Sequence, residues 1–362
     1  MDPEILIRIE SCLTNQPFTA QKEHLQSLRY FGGIVGGEQP SRYSQSPLLW
    51  NRLFRRLEIP ALFVPFDLPS SRDLVPFLET VLQTPYCLDL TVTNPYKQAA
   101  YQALEELKVR CTVTDRVRHL GSLNHIIRQP DGWFVDSTDG EGMVRAIRKR
   151  ISLEGRRVLL VGAGGAAASI GYELVQEGVD LRIVNIIEQD AHILKERLSR
   201  IPGSSREVSS FPAASQTPAT EDTGANDTGP FSGPPSGWHY IQAGVPSGRP
   251  FHSRVQAGGW DRIEEWAAES EVIISAITES SPLDREELER LAPSVLLVDT
   301  RYGEQAVFAR LGRSLGRTVI DGKEMLFGQF HVAVVRLAYI LGIPLSVLRE
   351  ELEAIEEEYL SS

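Results

Sequence analysis

The sequence is poor in cysteine and has no unbroken apolar run. Its three cysteines, Cys12, Cys87 and Cys111, have neither paired spacing nor a histidine cluster beside them, so neither a disulfide framework nor a metal site is expected. The most apolar stretch, residues 332–348, contains Arg336 and a Gly-Ile-Pro turn. It therefore predicts a buried helix followed by a turn, and it excludes a membrane span.

Basic residues are in the minority. The 37 lysines and arginines are outnumbered by 48 aspartates and glutamates, which gives a formal net charge of −11. This charge argues against nucleic acids and anionic membranes as partners. The chain begins Met-Asp-Pro-Glu, with no apolar run behind a basic patch, so we expect no signal peptide and a cytoplasmic protein.

The length of 362 residues suits two domains, and the hydrophobic pattern predicts two α/β halves. In the first half, short apolar strands alternate with amphipathic helices at 34–35, 47–57, 61–64, 74–82, 88–92, 96–107 and 110–113. In the second half, after a helix over 142–150, strands are predicted at 157–161, 181–184, 272–276 and 294–299, with a helix over 165–178. Such alternation implies parallel strands with helices on the sheet faces.

One long stretch breaks this alternation. Residues 202–258 are dense in Ser, Pro, Gly and Thr and have few large apolar side chains. Such a segment buries too little surface to offset the entropy of ordering. We therefore expect a surface insertion that is at least partly mobile.

A glycine-rich turn follows the first strand of the second half. The run Gly162-Ala-Gly164-Gly165-Ala166-Ala167 fits the pattern G-x-G-x-x-A between a strand and a helix. Gly162 permits the tight turn, Gly164 lets the backbone approach a pyrophosphate, and Ala167 allows the helix to pack closely on the strand. The phosphates would then sit on the N-terminal amides of the helix. We predict a dinucleotide site; the alternative is a glycine-rich turn without a ligand.

The choice between NAD and NADP depends on the end of the next strand. An acidic residue there binds the ribose hydroxyls of NAD, whereas an arginine indicates NADP. Asn185 is followed by Ile186, Ile187 and Glu188, and no basic residue stands among them. The cofactor is therefore NAD or NADP, with a lean toward NAD. Glu188 or Asp190 would bind the ribose, or either is an ordinary solvated charge.

Three loops of the first half carry polar side chains suited to a small anionic substrate. Ser44 and Ser46 precede a helix, where two hydroxyls suit a carboxylate, although helix N-capping is the simpler explanation. Lys97 follows a strand and a turn, and Asp139 lies in a third loop, with Asn124 before it. A lysine and an aspartate that meet in a cleft can relay a proton to or from a hydroxyl, whereas each alone can be a surface charge.

Taken together, these features resemble the shikimate dehydrogenase family, which includes the quinate/shikimate dehydrogenases. Six family motifs occur in the family's order between Phe31 and Gly342: Ser44-x-Ser46-Pro47 with Asn51, Val92-Thr93-x-Pro95-x-Lys97, Gly121-Ser-Leu-Asn124, Ser137-Thr138-Asp139-Gly140, Gly162-Ala-Gly164-Gly165, and Met325-Leu326-x-x-Gln329. No single motif is specific, but six in order leave little room for chance.

The resemblance implies a role for each motif. Lys97 and Asp139 would form the catalytic pair, with Lys97 exchanging the proton at a ring hydroxyl or ketone. The substrate-binding residues would be Ser44 and Ser46 for the carboxylate, Thr93, Asn124, Asp139 and Gln329 for the ring hydroxyls, and Tyr302 along the pocket wall. The dinucleotide would be bound by Gly162, Gly164, Gly165, Ala166 and Asn185.

The resemblance also implies a domain layout and a reaction. Residues 1–145 would form the substrate-binding domain and residues 146–322 a Rossmann-type dinucleotide-binding domain, with helices in 323–362 returning to the first domain. The protein would be a nicotinamide-dependent oxidoreductase that interconverts a hydroxyl and a ketone on a shikimate- or quinate-like ring carboxylate. That small carboxylate is the expected partner, and a homodimer is the assembly we consider.

The chain departs from the family pattern at four places. Thr91 and Ser137 replace asparagines, Ile186-Ile187 replaces an Arg-Thr pair that accompanies NADP binding, and Ser275-Ala-Ile-Thr278 replaces an Asn-Ala-Thr-Pro loop near the nicotinamide. These changes leave the ring substrate and the cofactor open. Two alternatives follow: a non-catalytic ligand sensor on the same fold, and another two-domain nicotinamide enzyme that uses a lysine on a different substrate.

Overall fold

The computed structural model describes residues 28–201, 254–278 and 280–361. Within these ranges the chain forms two six-stranded sheets with helices packed on them. The strands are β1 Tyr30–Gly36, β2 Ala61–Asp67, β3 Cys87–Val92, β4 Cys111–Val113, β5 His125–Gln129, β6 Gly132–Asp136, β7 Arg157–Val161, β8 Asp180–Val184, β9 Val255–Gly258, β10 Val272–Ser275, β11 Leu296–Asp299 and β12 Val319–Ile320. The α-helices are α1 Pro40–Tyr43, α2 Ser46–Arg56, α3 Leu74–Gln83, α4 Lys97–Glu106, α5 Asp115–Leu120, α6 Asp139–Arg148, α7 Gly165–Gln176, α8 Glu188–Ser199, α9 Ile263–Glu269, α10 Arg285–Arg290, α11 Val307–Ser314, α12 Gly322–Leu341 and α13 Leu345–Ser361.

The first sheet is mixed, with the order β2-β1-β3-β5-β6-β4. Strand β1 pairs in parallel with β2 and β3, as the alternating pattern predicts, but β5 runs antiparallel to β3 and β6. The expectation of purely parallel pairing is therefore wrong for this sheet. The reason is the hairpin β5–β6, whose turn is too short for a parallel crossover, and which places β4 at the sheet edge.

The second sheet is entirely parallel, with the order β9-β8-β7-β10-β11-β12. This is the doubly wound order of dinucleotide-binding sheets, and it confirms the predicted two-part α/β fold. Strands β9 and β12 were not predicted. Residues 255–258 were assigned to the mobile insertion, and this assignment is wrong, because they pair with β8. The rest of the predicted insertion, 202–253, lies outside the described residues.

The C-terminal helices α12 and α13 return to the first sheet, as expected. Trp50 of α2 stacks on Phe63 of β2, with ring centroids 5.2 Å apart, and Phe330 of α12 meets the indole edge-on at 5.2 Å. Tyr359 of α13 is buried in the same cluster. Burial of each such aromatic side chain stabilises the folded state by about 2–3 kcal/mol. Through these contacts the end of the chain covers one face of this sheet.

Helix α6 lies between α7 and α12 and approaches both closely. A Cβ atom at Gly140 of α6 would overlap the carbonyl oxygen of Ser169 on α7. A Cβ atom at Gly328 of α12 would overlap the backbone of Gly142 on α6. The predicted domain boundary at 145/146 falls inside this helix, so α6 packs with both halves of the chain.

Within residues 28–201, 254–278 and 280–361, no helix is both long enough and apolar enough to span a membrane. In the same ranges, no group of three or more His, Cys, Asp or Glu side chains is arranged to hold a metal ion. Cys87 is buried, Cys111 is half-buried, and both are free thiols.

Candidate active site

Lys97 and Asp139 meet at one edge of the first sheet. The ammonium nitrogen Nζ of Lys97 lies 2.6 Å from Oδ2 of Asp139. Lys97 begins α4 after β3, and Asp139 begins α6 after β6; since β5 is antiparallel to both strands, β3 and β6 end at the same edge. The lysine side chain is 28% exposed and the aspartate side chain 9%. A ligand can therefore reach the ammonium group more readily than the carboxylate.

Asn124 orients the Asp139 carboxylate. Its amide nitrogen donates to Oδ1 of Asp139 at 3.0 Å and to the Thr138 hydroxyl at 3.1 Å. Its amide oxygen accepts the backbone N–H of Thr138 at 2.7 Å. Asn124 is buried, and both ends of its amide are engaged inside the protein. The structure thus places this predicted ring-hydroxyl ligand behind Asp139, where it fixes the carboxylate.

The predicted carboxylate loop lies where the two halves of the chain touch. The Ser44 hydroxyl accepts the N–H of Ser46 at 3.3 Å. This is a local turn bond and not an N-cap, because the N-cap residue of α2 is Gln45 and it makes no side-chain cap hydrogen bond. The Tyr302 hydroxyl, from the loop after β11, donates to the carbonyl oxygen of Tyr43 at 3.2 Å. The Tyr43 side chain in turn shares a hydrogen bond with Thr93. Burial raises the pKa of both tyrosines, so their hydroxyls stay protonated at neutral pH.

Gln329 lies on α12 beside the first turns of α6. Its backbone nitrogen and its Cγ atom flank Gly142, where a Cβ atom would overlap both. The side chain is half-buried, and its amide makes no hydrogen bond to any part of the chain that the structure describes. The amide is therefore available to a ligand.

A buried polar pair lies in the same strands, and sequence reasoning missed it. His125 Nδ1 lies 3.0 Å from Oδ2 of Asp89, and the Thr91 hydroxyl donates to Oδ1 of Asp89 at 3.3 Å. Thr91 and His125 face each other across β3 and β5, and all three residues are buried. Thr91, noted above as a departure from the family pattern, thus points its hydroxyl proton at Asp89. The available signal was an acidic residue inside an otherwise apolar strand.

The glycine-rich turn has the geometry expected of a phosphate site. Gly162 has a φ of +116° and ends β7 beside the carbonyl of Ala276. Gly164 precedes α7 without any side-chain cap, so the first N–H groups of the helix are left for another acceptor. A Cβ atom at Gly164 or Gly165 would meet no atom within 4 Å. Open space above an uncapped helix N-terminus fits a pyrophosphate, and Ala166 borders the same turn.

The end of β8 offers an apolar surface beside acidic groups. Ile186 and Ile187 are 73% and 60% exposed. The Asn185 amide donates to the carbonyl oxygen of Ile187 at 3.1 Å and to the Asp190 carboxylate at 3.5 Å. Asn185 is therefore held by its own turn, and Glu188, three residues later, begins α8.

Five charged side chains converge behind Asp139, and sequence reasoning missed this group too. They form the charge cluster: Arg116 on α5, Asp136 on β6, Glu141 on α6, Glu173 on α7 and Arg336 on α12. Their positions share no spacing in the sequence. The signals were an arginine that interrupts an apolar helix and an aspartate that ends an apolar strand.

The charges of the cluster hold one another ionised. Burial opposes ionisation of Asp136, but Arg116 and Arg336 outweigh it, so the pKa of Asp136 lies below its usual value. The same balance lowers the pKa of Glu141. Burial also opposes the Arg116 cation, yet Asp136, Glu173 and Glu141 raise its pKa well above the ordinary range. These three groups therefore remain charged at neutral pH.

The first part of the chain matches a known protein family. Residues 35–125 match the sequence model of the shikimate dehydrogenase substrate binding domain. The resemblance to the shikimate dehydrogenase family is thereby confirmed. The matched residues contain the serine loop, Lys97 and Asn124, whereas Asp139, Tyr302 and Gln329 lie outside them.

Curated relatives match the first part of the chain. The shikimate dehydrogenase (NADP(+)) of Syntrophobacter fumaroxidans is 32% identical over 152 residues, which is 42% of this chain and 49% of the relative. The enzyme of that name from Stenotrophomonas maltophilia strain K279a is 43% identical over 97 residues, 26% of this chain and 32% of the relative. The alignment with the first of these relatives spans about half of its length.

Two solved structures match 91% and 92% of this chain. A shikimate dehydrogenase from Mycobacterium tuberculosis has a TM-score of 0.62 and 20% identity, and the match covers 91% of this chain and 99% of that one. A quinate dehydrogenase from Corynebacterium glutamicum in complex with NAD has a TM-score of 0.63 and 19% identity, with 92% and 99% covered. At these identities the likeness shows a shared fold.

Proposed function

We propose that the protein is a nicotinamide-dependent dehydrogenase that interconverts a hydroxyl and a ketone on a shikimate- or quinate-like ring carboxylate. The observation that carries the proposal is the Lys97–Asp139 pair, 2.6 Å apart. Its lysine lies within residues 35–125, which match the family's substrate-binding domain. The names of the relatives support the same reaction class.

Lys97 and Asp139 would handle the proton. Lys97 Nζ would donate a proton to a ring ketone oxygen in one direction and accept it from the hydroxyl in the other. Asp139, fixed by Asn124, would hold the lysine in place. Proton transfer from a positioned side chain contributes typically about 10²–10⁴-fold to a rate.

Substrate orientation would come from groups of both halves. Ser44 and Ser46 would bind the carboxylate through their hydroxyls. Thr93 and Gln329 would bind ring hydroxyls, and Tyr302 would close the side of the site next to Tyr43. Orientation of this kind lowers the barrier because the reacting atoms are already placed before the chemical step.

Gly162, Gly164, Gly165 and Ala166 would hold the pyrophosphate of a dinucleotide on the uncapped start of α7. When bound, a nicotinamide dinucleotide supplies or accepts the hydride of such a reaction. Of the two dinucleotides we propose NAD. The Asp190 carboxylate lies 3.5 Å from the Asn185 amide, and Glu188 lies in the same first turn of α8. Their negative charges would repel the additional phosphate of NADP.

The remaining assignments belong to the same proposal. Residues 1–145 with 323–362 would form the substrate domain and residues 146–322 the dinucleotide domain. The protein would work in the cytoplasm, where the free thiols of Cys87 and Cys111 stay reduced. A homodimer is the assembly that we propose to test first.

The proposal is tested by following reduced nicotinamide by absorbance, with shikimate and quinate each offered with NAD and with NADP. We expect turnover with at least one of the four pairs, and we expect the rate with NAD to exceed the rate with NADP. Dinucleotide binding without turnover would leave the cofactor site standing but contradict the proposed ring substrates. The absence of both dinucleotide binding and turnover would contradict the proposed dehydrogenase function and favour a ligand sensor.

A further inference from the structure

Arg116 contacts the chain on both sides of Asp139. Its Nε lies 3.2 Å from Oδ1 of Asp136, and its Nη1 lies 2.8 Å from Oε2 of Glu141. Nη1 also donates to the carbonyl oxygen of Ser137, at 3.4 Å. One guanidinium thus binds Asp136 and Ser137, which precede Asp139 in the chain, and Glu141, which follows it. The arginine side chain is 17% exposed, so solvent screens these contacts weakly.

The same guanidinium reaches the helix that follows the glycine-rich turn. Arg116 Nη1 lies 3.0 Å from Oε1 of Glu173 on α7. One turn earlier on α7, the Ser169 hydroxyl accepts the backbone N–H of Gly140 at 2.9 Å. Gly140 is the residue next to Asp139, so the start of α6 is joined to α7 by one direct hydrogen bond and by one bridge through Arg116.

Arg336 completes the arrangement from the opposite side. Its Nη1 lies 2.5 Å from Oδ2 of Asp136, and its Nη2 lies 3.4 Å from Oε2 of Glu141. Asp136 and Glu141 are therefore each held between two arginines. The charge cluster contains two cations and three carboxylates, and the third carboxylate is Glu173 on α7.

We propose that Arg116 is a positioning residue for the reaction: it holds Asp139 at contact distance from Lys97 and ties that contact to the dinucleotide helix α7. This inference rests on the proposed function. Arg116 touches neither Lys97 nor Asp139 and acts through Asp136, Ser137 and Glu141. Arg116 uses Nε for Asp136 and Nη1 for Glu141, Glu173 and Ser137, and lysine lacks such a rigid set of N–H donors on two nitrogens.

The test is Arg116→Lys, which keeps the charge and loses this set of donors. We expect kcat to fall by about 10²-fold, the size expected when a reacting group is displaced by about 1 Å. The KM for the dinucleotide should stay within about 3-fold, because the glycine-rich turn is untouched. The matched control is Arg118→Lys on the same helix α5, whose side chain is 57% exposed and pairs with Asp115; it should behave as the parent protein.

A second measurement does not depend on turnover. The chain has six lysines, so ¹³C-lysine labelling gives a spectrum in which the Lys97 signal can be assigned with Lys97→Arg. Arg116→Lys should move this signal toward its position in Asp139→Asn, and Arg118→Lys should leave it in place. If the parent protein turns over none of the ring carboxylates, the proposed function fails, and this spectrum alone decides the positioning role.

Glu173→Gln covers the case in which Arg116→Lys does not fold. It leaves two cations and two carboxylates in the cluster and removes one tie to α7, so we expect a folded protein with kcat lowered by about 10-fold. The proposal is overturned if the folded Arg116→Lys protein keeps the parent kcat and Lys97 signal. It is equally overturned if Glu173→Gln keeps both while Arg116→Lys is unfolded.

Discussion

Lys97 is placed by backbone contacts as well as by its ion pair. It is the first residue of α4, and its carbonyl oxygen accepts the N–H of Leu123 at 3.1 Å. Leu123 precedes Asn124, which holds the Asp139 carboxylate. The backbone of the lysine is therefore joined by one hydrogen bond to the segment that carries the group orienting its partner.

Lys97→Met should reduce kcat by at least about 10²-fold, because it removes the proton donor and acceptor and keeps the apolar stem. Dinucleotide affinity, measured by calorimetric titration, should be nearly unchanged, since Lys97 begins α4 after β3 of the first sheet and the glycine-rich turn precedes α7. Lys108→Met, at an exposed position, is the control. Full activity in the Lys97 variant would remove this residue from the mechanism.

His125→Leu should destabilise the protein by about 2 kcal/mol, because it leaves the buried Asp89 carboxyl group without its nitrogen partner. Urea unfolding followed by circular dichroism measures the change. His192→Leu, on a side chain that is 43% exposed, should leave the midpoint nearly unchanged. An unaltered midpoint for His125→Leu would mean that the pair contributes nothing to folding.

The elements show where sequence reasoning succeeds and where it fails. The glycine pattern predicted β7, the turn and α7 because each step has a local cause: an apolar run, a positive φ at Gly162 and an uncapped helix start. The hairpin β5–β6 was missed although Gln129-Pro-Asp-Gly132 is a turn sequence. The hairpin lies between β3 and β4 in the sheet. A prediction that lacks the hairpin therefore cannot place β4 at the edge.

The site residues divide in the same way. Lys97 and Asp139 were predicted because both belong to motifs, whereas the charge cluster and the Asp89–His125 pair form only when distant elements meet. Asp139 was expected on a loop but begins α6. That difference has a cause in packing, since Gly140 and Gly142 allow α7 and α12 to close on the first turn.

Gly164→Val tests the element that would hold the dinucleotide. The added side chain enters open space, since a Cβ atom there meets nothing within 4 Å, so the protein should fold as before. It would occupy the space of the pyrophosphate and should weaken dinucleotide binding by at least about 10-fold, a loss of about 1.4 kcal/mol. Calorimetric titration checks this, and equal affinity would contradict the site.

At the scale of the whole molecule, folding stability depends on pH through His331. Burial, with Arg145 and Lys149 nearby, lowers the pKa of His331 to about 3, while Glu141 acts weakly in the other direction. In the unfolded chain an ordinary histidine has a pKa of about 6.5. The unfolded state therefore binds the proton first, and stability falls as the pH drops from about 6.5 toward 3.

His331→Leu should remove this part of the acid sensitivity. Between pH 7 and pH 5 the parent protein should lose up to about 2 kcal/mol through His331, and the variant should lose correspondingly less. Urea unfolding at both pH values measures the difference, with His192→Leu as the control. Equal losses in the parent and the variant would show that His331 is not the group responsible.

The position of α6 has a consequence for recombination between relatives. A chimera made by cutting the chain at 145/146 would split this helix. It would also pack a foreign α7 against the native Gly140, where the backbone of α7 lies too close to admit even one additional carbon atom. A foreign α12 would face the same restriction at Gly142. Exchange of the second half between such proteins is therefore expected to succeed only when α5, α6, α7 and α12 are inherited together.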